Sequence, residues 1–390
     1  MRIVYLHPHF TTDGGAGRMV LETGRRLADR GHRVDCVCIR AARDIVGNDS
    51  RMTFHEIGGP SSSQIPFWLG FRAGCKRIAA KVKRITDESN GECVLFPQVF
   101  PANWWGSYVL TQLPHIPCIW FCQEPSAFIH SSAWIGALPF PKNWIARLLN
   151  PFLAQIDVRS CQKFRTVMVN SLFSQEYARQ VYGYPPETVV PVSLGVDHGR
   201  FKPRKDSQRS QAIVVFSKLT RFKNVDRIIA AFELLAVQRA DLRLHIVGDG
   251  DAQAALHRQA NACMARQRIE FHGRVSDTRA TELLQDARVL CLASDNEPFG
   301  LVVVEALACG TPVVAMNSGG PAEILGEHGC GLLVDSTTPQ ALAAALKVIL
   351  DSDERFQQFS SAALHRAADF HWENVVDSLE AKFEQLISAP

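Results

Sequence analysis

Short apolar runs alternate with stretches of helical period along the whole 390 residues, and no other feature restricts the fold as strongly. Residues 3–6, 33–39, 94–96, 118–121 and 166–170 read as strands, and residues 17–30 have a helical period. The second half repeats the theme, with strands expected at 212–216, 243–247, 269–271, 289–292, 312–315 and 332–334. Helical periods fall between them at 225–238, 278–285 and 301–309, and a last one covers 372–387. Strand–helix alternation means a parallel sheet covered on both faces. The expected class is therefore α/β, with two doubly wound, Rossmann-like parallel-sheet domains of 1–192 and 193–371. The Pro- and Lys-containing stretch 185–203 and the polar residues 204–211 form the joint. In open parallel sheets ligands bind beyond the carboxyl ends of the strands, so two such domains facing across a cleft would take their ligands from the loops that follow the strands.

Apolar residues make up 46% and charged residues 21%, which excludes a mainly disordered chain. No apolar run approaches the roughly 18 residues that a membrane-spanning helix needs, and no basic-then-apolar leader precedes residue 3. A cytoplasmic protein is expected, peripheral on the inner face of the cytoplasmic membrane if it meets lipid at all. The eleven cysteines form no Cys-x-x-Cys pair and most sit among apolar residues. They read as reduced core residues, and neither a zinc site nor a disulfide framework is expected.

Charge divides unevenly. Residues 1–192 carry 21 Lys and Arg against 14 Asp and Glu, whereas residues 193–390 carry 21 against 25. Net charges of +7 and −4 suggest that the first half faces something anionic. Arg72, Lys76, Arg77, Lys81, Lys83 and Arg84 occur without an acid until Asp87. On one helix these charges cover about half of the wheel, and Phe67, Phe71, Ile78, Val82 and Ile85 cover the rest. The face reads either as a solvated surface or as a patch for anionic lipid or a lipid-phosphate acceptor. Residues 142–149 form a second amphipathic piece with aromatic content. No nucleic-acid motif accompanies the basic residues, so no nucleic-acid partner is expected.

Three loops carry candidate chemistry. Glu297 and Glu305 stand eight apart, with Pro298, Phe299, Gly300 and Leu301 between them at the start of a helix. A helix amino end attracts phosphate, and carboxylates accept hydrogen bonds from sugar hydroxyls. Together they suit a nucleotide sugar; alone they also read as a capped helix with two solvated acids. Ser217, Lys218 and Lys223 follow the strand 212–216. Two ammonium groups there suit a diphosphate leaving group or are ordinary surface lysines. Thr11-Thr12-Asp13-Gly14-Gly15-Ala16-Gly17 follows the first strand, where Gly14, Gly15 and Gly17 permit close backbone approach or simply make a tight turn. His7, His9 and His130 read as structural.

Taken in order, these segments resemble glycosyltransferase family 4, a retaining family of the GT-B fold. Glu297 to Glu305 is similar to its E-x7-E motif, and Lys218 and Lys223 fall on its Arg/Lys pair. Asn170-Ser171, Gly195-Val196-Asp197, Phe201-x-Pro203, Gly310-Thr311-Pro312 and Ser318-Gly319-Gly320-Pro321 also match. The resemblance implies a metal-independent hexosyltransferase with no cofactor beyond its donor, a nucleotide-diphosphate sugar, and a glycan or lipid-linked acceptor of surface polysaccharide or glycolipid synthesis. Two competing readings stand beside it: a transferase for a small soluble acceptor and, given Gln123 and Lys218, a non-catalytic nucleotide-sugar binder. Glu305 would hold the ribose, Glu297 the sugar hydroxyls, and Gly273, Arg274 and Val275 the base. The last helix, 372–390, would cross back to the first domain. Two departures stand out. Lys218 occupies a position that is usually Arg, and keeps the charge while losing the bidentate fork. Gln123, in Trp120-Phe121-Cys122-Gln123-Glu124-Pro125, stands where mannosyl-transferring relatives carry His. That segment gives a mild preference for GDP-mannose.

Overall fold

The computed structural model describes residues 1–11, 14–47, 49–61, 64–89, 91–131, 135–136, 138, 141–204 and 209–388, with Lys142 as backbone only. Thr12 and Asp13 of the first glycine loop and part of the joint, 205–208, lie outside them. The chain divides into two units, Met1–Leu194 with Trp372–Pro390, and Gly195–His371.

In the first unit β1 (Arg2–Leu6), β2 (His9–Phe10), β3 (Arg33–Cys38), β4 (Arg40–Ala41), β5 (Met52–Glu56) and β6 (Cys93–Pro97) precede β7 (Trp120–Phe121), β8 (Val167–Val169) and β9 (Val189–Pro191). The main sheet runs β5-β3-β1-β6, with β1 pairing in parallel with β3 and β6. A single bridge from Leu95 to Cys118 carries it towards the parallel set β7-β8-β9. Every residue of β1 and of β6 is buried, and apart from Arg2, which pairs with the buried Asp35, both read as apolar runs. The edge strand β5, Met-Thr-Phe-His-Glu, is half-buried and polar at alternate positions, so the sequence reading passed over it. The final helix, Trp372–Ser388, belongs to this unit and docks on Gly15–Asp29 through Arg26–Glu373 and Arg30–Glu380 ion pairs. Phe383 is fully buried there, its ring 5.1 Å from Phe96.

The second unit holds β10 (Ala212–Phe216), β11 (Arg243–Val247), β12 (Ile269–Gly273), β13 (Val289–Leu292), β14 (Val313–Met316) and β15 (Gly331–Val334). They form one parallel sheet in the order β12-β11-β10-β13-β14-β15. The order reverses between the central neighbours β10 and β13, so the crossover helices of the two halves lie on opposite faces. Ile213, Leu244, Phe232 and Leu346 are among its fully buried core residues.

The basic segment departs from one continuous helix. Gly70 separates a short helix, Ile65–Leu69, from Phe71–Asp87. Phe67 thus reaches the core from the preceding turn, beside Cys75, Ile78, Val82 and Ile85 of the longer helix.

Candidate functional site

The loops after β10 and β13 leave neighbouring strand ends, so residues far apart in the chain meet. Lys223 closes a 3-10 turn, Arg221–Lys223, and Glu297 lies in the loop before the Leu301–Ala308 helix. Lys223 Nζ donates to Glu297 Oε2 at 2.6 Å, and each side chain is 18% exposed. The sequence reading gave these two residues separate tasks; in the folded unit they neutralise each other. A diphosphate reaching Lys223 would have to share or displace that carboxylate.

Asn224 holds the two loops together. Its left-handed φ of 52° turns the chain into the Val225–Ala236 helix. Its Nδ2 donates to the Ala293 carbonyl at 2.9 Å and to Asp295 Oδ2 at 3.3 Å. The sequence reading missed this role, although Asn tolerates left-handed backbone and is a frequent residue at such entries. Asn296 and Gly300 also have positive φ, 55° and 88°, which shapes the turn around Glu297 and Pro298.

Two sets of glycines let other backbone segments press against these loops. A Cβ on Gly248 would sit 1.9 Å from the Ser217 carbonyl oxygen, and one on Gly250 would sit 2.2 Å from that of Leu219. The Leu219 amide donates to the Asp249 carbonyl at 2.7 Å. On the other side a Cβ on Gly319 would lie 2.3 Å from the Glu297 carbonyl oxygen, and one on Gly320 would lie 2.4 Å from Phe299 Cα. The Gly320 amide donates to the Glu297 carbonyl at 2.8 Å. The Ser318–Pro321 motif therefore acts as a backbone brace for Glu297.

The remaining candidate residues of these loops differ in exposure. Glu305 is buried on its helix, and Leu301 is half-buried. Phe299 is buried, with its ring 6.2 Å from that of Phe370. Lys218 is exposed, and the Ser217 hydroxyl donates to its carbonyl. Gly273, with φ 61°, accepts from the Gly248 amide, while Arg274 pairs with Asp249 at 2.7 Å and Val275 is half-buried. None of these loop residues belongs to a cluster of metal ligands; among the described residues the one such group lies on β11 and β12.

In the first unit, Gly14 caps the Gly15–Asp29 helix, with Gly14 and Gly15 exposed and Gly17 beside Phe10. The nearly buried Gln123 donates from Nε2 to the Ala16 carbonyl at 3.5 Å, so the glycine turn and the Gln123 segment meet. His7 is buried, and burial pushes its pKa down to about 3; that of His9 is lowered for the same reason. Both are neutral at pH 7. His130 contacts the fully buried Asp157 at 2.8 Å. Asp157 also accepts from Asn103 Nδ2, Trp104 Nε1 and the Tyr182 hydroxyl, an interior cluster that the sequence did not reveal.

Two surfaces of this unit stand out. Arg72, Lys76, Arg77, Lys83 and Arg84 are exposed on the Phe71–Asp87 helix and Lys81 is half-buried; Lys83 pairs with Asp87. On the Lys142–Cys161 helix, Trp144, Leu148 and Phe152 recur every four residues and are 62%, 65% and 66% exposed. Its apolar stripe thus points to solvent, with Ile145 and Leu149 alongside. All eleven cysteines are free thiols, ten of them buried. No helix among the described residues is long and apolar enough to cross a membrane.

Residues 13–200 match the family model described as Glycosyltransferase Family 4, and residues 198–366 match Glycosyl transferases group 1. A D-inositol 3-phosphate glycosyltransferase of Corynebacterium aurimucosum is 28% identical over 96% of this chain and 92% of its own length. A GDP-mannose-dependent alpha-(1-6)-phosphatidylinositol dimannoside mannosyltransferase of Mycobacterium tuberculosis is 31% identical, over 60% of this chain and 61% of its own. Among solved structures, Anabaena HepE in complex with UDP-glucose superposes with a TM-score of 0.78 at 20% identity, covering 99% of this chain and 100% of that one.

Proposed function

The chain belongs to the family 4 glycosyltransferases, with the GT-B fold, and we propose that it moves a hexose, mannose by preference, from a nucleotide-diphosphate sugar to a glycan or lipid-linked acceptor. The observation that carries this reading is the Lys223–Glu297 contact at the point where the strand order reverses. It sets a cation for phosphate beside a carboxylate for sugar hydroxyls.

In the proposed reaction the bond between the anomeric carbon and the diphosphate oxygen breaks first, through an oxocarbenium-like transition state. Lys218 and Lys223 offset the charge growing on the leaving diphosphate, helped by the backbone amides that follow Gly300. Glu297 accepts hydrogen bonds from the donor sugar, and Glu305 from the ribose. The acceptor hydroxyl attacks the face that the diphosphate leaves, and its proton passes to that diphosphate, so the anomeric configuration is kept. All of these groups are side chains or amides of the chain, and the scheme needs no metal or cofactor. The preference for mannose rests on the Gln123 segment and on the mannosyltransferase from M. tuberculosis.

The test is a thermal-shift comparison of GDP, UDP and ADP with their sugars, followed by transfer of labelled mannose from GDP-mannose. GDP-mannose at 100 times its Kd should add about 2.7 kcal/mol of stability. No response to any nucleotide would overturn the assignment, and a shift with UDP-glucose alone would move it to another hexose.

A lipid-linked acceptor is favoured by the basic Phe71–Asp87 face and the solvent-facing Trp144–Leu148–Phe152 stripe, both in the first unit. An interfacial helix combines these two properties. Binding to anionic vesicles should exceed binding to neutral ones and weaken with salt. Equal partitioning to both would remove the electrostatic part. The second reading, a small soluble acceptor, is favoured by the nearly full-length match to a D-inositol 3-phosphate glycosyltransferase; it predicts no vesicle binding at all.

A further inference from the structure

Within the strands themselves, His245 of β11 and Glu270 and His272 of β12 stand side by side. The parallel register sets His245 opposite Glu270, and the two-residue period of a strand puts His272 on the same face as Glu270. His245 Nδ1 lies 3.0 Å from His272 Nε2 and 3.4 Å from Glu270 Oε2. The other nitrogen of His272, Nδ1, is 3.8 Å from Glu270 Oε1.

The three side chains each offer one ligand atom, all within 4.8 Å of one another, and the two separations from His245 Nδ1 approach those of a metal's coordination sphere. Zinc holds imidazole nitrogen at about 2.0–2.1 Å and carboxylate oxygen at about 2.0–2.2 Å in tetrahedral geometry. Neighbouring ligand atoms are then roughly 3.3–3.5 Å apart by trigonometry on those bond lengths. The observed 3.4 Å falls within that range and 3.0 Å lies just below it, so a small outward rotation of one imidazole would complete the site. We propose that His245, Glu270 and His272 bind one divalent first-row transition metal, zinc fitting best, and thereby clamp the edge strand β12 to β11.

The donor set decides the class of ion. Two imidazoles and one carboxylate suit zinc, cobalt or nickel, whereas magnesium and calcium prefer oxygen alone. Three protein ligands leave a fourth position. His245 also lines a cavity of about 270 Å³ with Arg204, Arg279, Glu282 and Asp286, which has room for water or a small exchangeable ligand there. The clamp has a structural purpose. The β11–β12 register shifts between Ile246 and Val247, at the strand ends that lead into Gly248–Gly250 and Gly273–Val275. A cross-strand metal fixes that irregular edge. The proposal stands apart from the donor reading, since none of its ligands is assigned to the nucleotide sugar.

The experiment strips the full chain with EDTA, removes the chelator, and titrates zinc by calorimetry and cobalt by visible absorption. The wild-type chain should bind one equivalent, develop the d–d bands of tetrahedral cobalt, and melt at a higher temperature with zinc. His272→Gln and Glu270→Gln should each abolish the bands and the shift while melting like wild type without metal. The Glu270 side chain is 61% exposed, so its variant tests the ligand set even if the histidine variant misfolds. Absence of saturable binding, or unchanged cobalt bands in Glu270→Gln and His272→Gln, would overturn the site.

Discussion

At the residue scale, the Lys223–Glu297 contact gives the two side chains separable effects. Glu297→Gln removes the charge that competes for Lys223 and the carboxylate proposed to hold the sugar. It should leave nucleoside diphosphate binding intact or tighter while transfer falls, as calorimetry and a mannose-transfer assay on the same preparation would reveal. Lys223→Ala should weaken diphosphate binding and slow transfer; loss of one such charge-stabilising donor costs about 2.7–4 kcal/mol of barrier. Wild-type turnover in either variant contradicts the roles given to them. His7 offers a separate test in acid. Its folded pKa is pushed down to about 3 by burial, below the ordinary value of 6.5. Below pH 6.5 the unfolded chain takes up a proton that the folded chain refuses. The stability that neutral His7 confers is therefore complete above pH 6.5 and drains away as the pH falls towards 3. Between pH 6.5 and 5, wild type should lose about 2 kcal/mol more than His7→Gln, read from urea unfolding at each pH.

At the element scale, the turns matter more than the helices that they start. Gly319 has φ 67° and no room for a Cβ against the Glu297 carbonyl. Gly319→Ala therefore carries both backbone strain, on the order of 1–3 kcal/mol, and a displacement of the Glu297 loop. Transfer should fall further than the shift in melting temperature would explain, and a parallel loss of both would show the brace to be merely structural. The same elements mark what a linear reading can see. The boundaries of β10 and β13 were legible because central strands are buried on both faces and appear as continuous apolar runs. β5 was not, since an edge strand carries its polar residues openly. Asn224 was visible as a residue but not as a link, because its partners Ala293 and Asp295 are about seventy residues away. The helical period of 142–149 was visible too, yet a period defines a stripe without saying whether core or water lies against it.

At the scale of the whole molecule, the chain leaves its first unit at Leu194 and returns to it at Trp372. Phe383 anchors that return, so Phe383→Ala should destabilise the first unit by about 3–5 kcal/mol in urea unfolding. Hydrogen exchange should rise in Gly15–Asp29, the helix against which the last one packs. Unchanged protection there would mean that the ion pairs of Arg26 and Arg30 suffice to hold the helix. By itself the amino-acid sequence determined two doubly wound units, the positions of the loops proposed to carry the chemistry and the basic face, because strand and helix periods are local properties of the backbone. Only the tertiary structure decided that Lys223 and Glu297 touch across 74 residues, that glycines brace them, that the Trp144 stripe faces water, and that His245 meets Glu270 and His272. Each of those contacts depends on which strands become neighbours and on which side a helix lands, and both are settled by packing of the whole core.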